Sequence, residues 1–168
     1  MKYKTVDMGL FLAFALLLSY IETLIPFSVG IPGIKIGLSN LAVLLCMYVF
    51  SFGDALLLTI MKSVITGILF GNMFMILYSL TGAVISCVIM YLFKRSGGFH
   101  LPVVSALGGV SHNMGQLLIA YFAVKTYGVL YYIPFLLISG AVMGLLNGSI
   151  ATVLLPQIKK IIKKREHL

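Results

Sequence analysis

Long apolar runs separated by brief interruptions fill almost the whole chain. The runs cover about residues 8–25, 34–50, 55–70, 73–93, 101–124 and 131–155. Each comes near the ~20 residues an α-helix needs to cross the ~30 Å hydrocarbon core of a bilayer. The joints at 26–33, 51–54, 71–72, 94–100 and 125–128 carry Gly, Pro, Asn, Ser or charged residues, the usual breakers of periodic structure. Hydrocarbon offers no partner to an exposed peptide group, so open segments of this composition cross it as helices. The pattern predicts an all-α polytopic membrane protein, a six-transmembrane-helix bundle in one domain over 1–168, with a short basic tail at 156–168. The third run is short. The second opens in a Gly- and Pro-rich stretch, which predicts an irregular start.

Composition supports this picture. Only 10% of the 168 residues are charged and 61% are hydrophobic, against about a quarter charged in an ordinary soluble domain. Lys2 and Lys4 before an apolar run resemble a signal peptide. No small-x-small cleavage site follows, however, and the run ends in Glu22 and Pro26, which predicts an uncleaved first span. The net charge of +8 comes largely from Lys159, Lys160, Lys163, Lys164 and Arg165 beyond the last run. Such a tail is the cytoplasmic flank of a membrane helix beside anionic headgroups, and no nucleic-acid partner is expected. With both termini inside, nine of the twelve Lys and Arg are cytoplasmic. Only Lys35 and Lys125 fall outside, and Lys62 lies within a span. The expectation is a multi-pass protein of the cell membrane with both termini cytoplasmic.

Polar residues inside the runs carry the candidate chemistry. Residues 108–116 read Gly-Gly-Val-Ser-His-Asn-Met-Gly-Gln. At 100° per residue His112, Asn113 and Gln116 share one face, which must meet other helices or a wet cavity. Ser19, Glu22 and Thr23 share a face near the outer end of the first span. The second span opens with Gly30, Pro32, Gly33, Lys35, Gly37, Ser39 and Asn40, where Lys35 is placed to pair with Glu22 or to gate a pocket. Thr59, Lys62, Ser63 and Thr66 form a stripe in the third. A lysine at mid-membrane costs about 2.5–3.5 kcal/mol, so Lys62 should point inward to a partner or cavity. In depth Lys62 and His112 differ by only about 6 Å. Ser79, Gly82 and Ser86 read as a packing face of the fourth span. In the sixth, Gly140, Gly144 and Gly148 form a ridge on which another helix can lie, with Asn147 beside it. Gly9 and Ala13 make a small-xxx-small pair that packs internally or docks a partner helix. Cys46 and Cys87 have neither redox nor zinc spacing and read as small core residues.

Catalysis is hard to assemble from this inventory. Four acids, Asp7, Glu22, Asp54 and Glu166, give no metal-binding cluster, and no phosphate loop or nucleophile elbow is present. No metal, cofactor or catalytic residue is expected. ATP-driven work would need another subunit.

Several of these motifs carry a family likeness. Tyr20-Ile-Glu22, the run from Pro32 through Lys35 and Gly37 to Asn40, Phe70-Gly71-Asn72, and the run from Gly108 through His112 and Asn113 to Gln116 resemble the Gx transporter family. That family is also named heptaprenyl diphosphate synthase component I. The likeness runs over about residues 9–155. Its members look distantly similar to the substrate-binding S components of energy-coupling factor transporters. Those are six-helix membrane proteins that capture a vitamin-like solute from outside, together with a membrane coupling protein and ATPases. The resemblance places a basic residue in the third span, and Lys62 keeps that charge. A prenyl diphosphate synthase needs aspartate-rich motifs, which are absent here. The expectation is a non-enzymatic transport component whose outward-opening cavity is lined by Glu22, Lys35, Asn40, Lys62, His112, Asn113, Gln116 and Asn147. Its solute would be small, anionic or vitamin-like. The alternative is a non-catalytic accessory subunit of isoprenoid or quinone metabolism.

The topology is open to a direct check. In a variant lacking Cys46 and Cys87, single cysteines at either terminus should resist a membrane-impermeant reagent applied to intact cells, and one beside Lys125 should react. Labelling of a terminus from outside would overturn the six-span arrangement.

Overall fold

In the computed structural model, which describes residues 3–24, 37–125 and 127–166, six α-helices account for most of the chain. They are α1 Lys4–Leu24, α2 Leu38–Val49, α3 Phe52–Phe70, α4 Met73–Ser96, α5 Leu101–Val124 and α6 Ile133–Glu166, with a 3-10 turn over Tyr127–Tyr132 before α6. No strand occurs among the described residues. The all-α membrane bundle expected from the apolar runs is therefore the observed fold class.

Local chemistry explains the helix boundaries. Ser51 and Asp54 form a capping box that starts α3, each side chain accepting from the other's backbone N–H. Asn72 caps α4 by accepting from the Met75 N–H at 2.9 Å. Gly97, at φ 71°, ends α4 in the left-handed conformation that glycine adopts without strain. Pro102 sits in the first turn of α5, where its missing N–H costs nothing.

Two spans depart from expectation. The second is a helix of only 12 residues, about 18 Å long, too short to cross a bilayer unaided. It starts at Leu38 because Gly37 takes a positive φ of 69°. The sixth does not stop near 155. It runs 34 residues through Pro156 into the basic segment, about 51 Å, so its charged end projects past the hydrocarbon. Four stretches are long and apolar enough to span: Lys4–Leu24, Phe52–Phe70, Met73–Ser96 and Leu130–Arg165. The 24-residue α5 matches them in length, but His112, Asn113 and Gln116 lower its hydropathy.

The helices surround α2. It packs against α1, α3, α4 and α6, while α5 lies between α4 and α6. Every residue from Leu41 to Met47 is buried, as expected of a helix apolar on all sides. The outer helices turn apolar side chains outward; Leu17, Ile68 and Ile138 are 60%, 68% and 65% exposed. Such faces suit lipid.

Both ends of the bundle are defined by contacts. Lys4 pairs with Asp54 at 2.7 Å, Arg165 pairs with the buried Asp7, and Lys94 donates to the Met47 carbonyl at the end of α2. The chain starts, α2–α3 turn, end of α4 and end of α6 therefore share one basic end. The core of Phe11, Leu44, Leu45, Met47, Leu58 and Val104 lies toward that end. Cys46 and Cys87 are free and buried within it, matching their reading as core residues.

The helix that lies on the glycine ridge of α6 is α5, a neighbour within the bundle. A Cβ on Gly140 would lie 2.7 Å from the Gly109 carbonyl oxygen. One on Gly144 would lie 2.5 Å from the Ser105 carbonyl oxygen, and one on Gly148 2.5 Å from the Pro102 Cα. Gly9 and Ala13, by contrast, are exposed on the outer face of α1. A difference in stability follows. Gly109→Ala would drive its Cβ to 2.2 Å from the Gly140 carbonyl oxygen and should cost about 1–3 kcal/mol. Gly9→Ala, with nothing within 4 Å, should stay within about 0.5 kcal/mol of wild type. Unfolding of both variants in detergent checks the contrast; equal effects would contradict the close α5–α6 crossing.

Candidate functional site

Among the described residues, a cavity of about 300 Å³ is lined from all six helices, from Glu22 and Phe70 at the end away from the basic one to Met90 and Ser105 on its other side. That volume is at the lower limit of small-molecule pockets. Glu22 comes from α1, Asn40 from α2, Lys62 from α3, His112, Asn113 and Gln116 from α5, and Asn147 from α6. Seven of the eight residues singled out by sequence thus border one space. The eighth, Lys35, lies outside the described residues.

Each of these side chains is held differently. The Lys62 ammonium, on a residue only 5% exposed, donates to Ser39 Oγ at 3.1 Å and Asn40 Oδ1 at 2.9 Å. Both acceptors belong to the first turn of α2. The partner expected for this mid-membrane lysine therefore includes neutral oxygens of a neighbouring helix. Glu22 Oε1 accepts the Gly37 N–H. Asn147 Nδ2 donates to the Gly37 carbonyl at 3.1 Å. Gly37 is thus gripped by α1 and by α6 at the point where α2 begins. Asn113 is buried and donates to the Leu136 carbonyl at 2.8 Å and to Ser139 Oγ at 3.3 Å, tying α5 to α6. His112 is half-buried, its backbone close against Gly82.

Gln116 stands apart. It is 2% exposed, borders the cavity and makes no side-chain hydrogen bond to any described residue. Unlike Ser63 Oγ, its amide atoms are not fully enclosed, so water or a ligand in the cavity can meet their hydrogen bonds. Ser19 and Ser105, both buried at the cavity wall, are likewise without a hydrogen bond among the described residues. Ser63 Oγ is fully enclosed and has none either.

Sequence reasoning missed part of this wall. Ser79 and Ser86 line the cavity instead of serving only as packing, although Ser86 also donates to the Gly108 carbonyl at 2.8 Å. Gly82 keeps the packing role: a Cβ there would come 2.7 Å from Gln116 Cγ. Met75, Met90 and Met143 contribute apolar surface and gave no signal. Ser105 had one, since 105, 109, 112 and 116 recur on a single helix face. Thr59 drops out of the proposed polar stripe. It is fully buried, and its hydroxyl donates to the Ala55 carbonyl of its own helix at 2.7 Å.

These observations define a class: a helical membrane protein with a ligand-sized cavity bordered by polar side chains from several helices. The chain belongs to the heptaprenyl diphosphate synthase component I family, whose profile matches residues 11–154. No curated protein and no solved structure matches it significantly.

Paired substitutions separate a group held by protein from one facing the cavity. Asn113→Leu removes two interhelical hydrogen bonds and should destabilise the protein by about 1–3 kcal/mol. Gln116→Leu removes an amide with no protein partner and should leave stability unchanged or raise it by about 1 kcal/mol. Unfolding of both purified variants tests this. A Gln116→Leu variant as unstable as Asn113→Leu would show that the amide is structural.

Proposed function

We propose that this protein is a substrate-binding component of a membrane transport system that captures a small polar solute in its cavity. The Gln116 amide, which borders the cavity and makes no hydrogen bond to any described residue, carries this reading. Such a group stays in a membrane interior when something other than the protein completes its hydrogen bonds. Seven polar residues from five helices bordering the same space support it further.

The direction of access follows from charge. If the basic end is cytoplasmic, as the positive-inside rule requires, both termini lie inside and the Glu22 and Phe70 side of the cavity faces outward. It then opens outward across the cell membrane, as capture from outside demands. Coupling to ATPases through a membrane partner is suggested only by the resemblance to S components. The exposed Gly9 and Ala13 on α1 remain suitable for helix docking, whereas the α6 ridge does not.

The family description favours a second reading, a non-catalytic subunit that accompanies a prenyl diphosphate synthase. A cavity near 300 Å³ suits a compact solute better than a long prenyl chain.

Mass spectrometry of small molecules released from the purified protein should separate the two. A polar solute, retained by wild type and lost from Gln116→Leu, is the expected result. Recovery of a prenyl chain, unaffected by Gln116→Leu, would support the accessory role. Affinity purification from native membranes should also recover a membrane partner. Isolation of a lone chain that moves solute into liposomes would count against one.

A further inference from the structure

The two sides of the cavity differ in charge. The α5 side offers neutral groups, chiefly the Gln116 amide and the Ser105 hydroxyl. The opposite side is built on the start of α2. Gly37, Ser39 and Asn40 border the cavity there. Gly37 brings no side-chain cap to the helix, so the positive end of the helix dipole lies at the cavity wall, while the Asn40 N–H donates to the Gly37 carbonyl at 2.9 Å. The Lys62 ammonium is held at that same turn by Ser39 and Asn40, at 3.1 and 2.9 Å. Its full charge and the partial charge of the helix start therefore add at one place.

One further observation points to a ligand. Ser19, 5% exposed on α1, is without a hydrogen bond among the described residues and borders the same region. A hydroxyl donor beside an ammonium and a helix N-terminus suits an oxyanion. Glu22 supplies an internal precedent, since its carboxylate already accepts the Gly37 N–H.

We infer that the cavity takes a small monocarboxylate, its carboxylate seated at Lys62, Ser19 and the first turn of α2, its body facing Gln116. This rests on reading the cavity as a solute site. Among the described lining residues Lys62 is the one Lys or Arg. A single ammonium suits one carboxylate better than phosphate or diphosphate, which call for several cationic donors.

The carboxylate subsite can be probed without knowing the solute. Thermal unfolding of the purified protein is followed with acetate, with its neutral isostere acetamide, and with inorganic phosphate and diphosphate, at one ionic strength. Acetate should give a saturable rise of a few degrees, and acetamide should not. Lys62→Gln should weaken the acetate response at least about tenfold in concentration, and Lys62→Arg should restore part of it. If Lys62→Gln fails to fold, Ser19→Ala serves. It should weaken the response without lowering the unliganded transition. Equal stabilisation by acetamide and acetate, abolished by Gln116→Leu, would overturn the carboxylate assignment and leave the cavity reading intact. A response to phosphate or diphosphate but not acetate would replace carboxylate with a phosphorylated ligand. No response to any probe, with no solute co-purifying, would count against both.

Discussion

Everything about the polar cavity of this bundle depends on how closely α5 approaches its neighbours. Between helices in a membrane, lipid tails compete on equal terms with apolar side chains, so association rests on close packing and interhelical hydrogen bonds. Glycine supplies the close packing here on both flanks of α5. Gly109 meets Gly140 backbone to backbone, and Gly115 meets Gly82, where a Cβ would sit 2.9 Å from the opposing Cα. Helices locked at that distance cannot rotate by a residue without collision. The register of α5 is thereby fixed, and with it the direction in which Gln116 points.

The bundle is consequently divided along its length. Toward the basic end, α2 fills the centre with Leu44, Leu45, Cys46 and Met47, each at most 1% exposed, and no room remains. Toward the other end α2 begins only at Leu38, so the surrounding helices continue past it around a space it does not occupy. Lys62 sits at this boundary. Its insertion cost of about 2.5–3.5 kcal/mol is offset in part by charge-assisted hydrogen bonds to Ser39 and Asn40, each of the kind worth about 1.5–3 kcal/mol. A lysine confined to anchoring α2 would need no cavity beside it. The open space next to a buried lysine is what gives this wall a capacity for binding.

Much of the fold was legible because membrane crossing imposes a length and a composition that sequence displays directly. The range 101–124 coincides with α5 because Pro102 and Lys125 mark its limits. The short α2 was less legible, since a positive φ at Gly37 is a backbone choice that the glycine permits without requiring. The α6 ridge was recognised, but periodicity alone does not distinguish an internal neighbour from an external one. Among candidate site residues, the charged and amide side chains could be read because hydrocarbon tolerates them poorly. Serines could not. A helical hydroxyl can satisfy itself on its own backbone, as Ser111 does on the Leu107 carbonyl at 2.8 Å. Only the packed structure reveals that Ser19, Ser63 and Ser105 do not.

The glycine crossings and the charge distribution also explain each other. α5 meets α4 and α6 backbone to backbone, and the polar side chains these helices present to the cavity include no carboxylate, Lys or Arg: Ser79, Ser105, His112, Gln116 and Asn147. Helices this close leave no room at their interface for a long ionised side chain with its shell of hydrogen bonds. The charged groups Glu22 and Lys62 instead come from α1 and α3, which join α2 through polar contacts to Gly37, Ser39 and Asn40. One side of the cavity is rigid and supplies shape and amides. The other is held by the hydrogen bonds of its own charged residues, so the groups that give the cavity its charge also position the start of α2. A substitution at Lys62 therefore acts twice, on the potential in the cavity and on the helix that forms its wall, whereas one at Gln116 acts on the cavity alone.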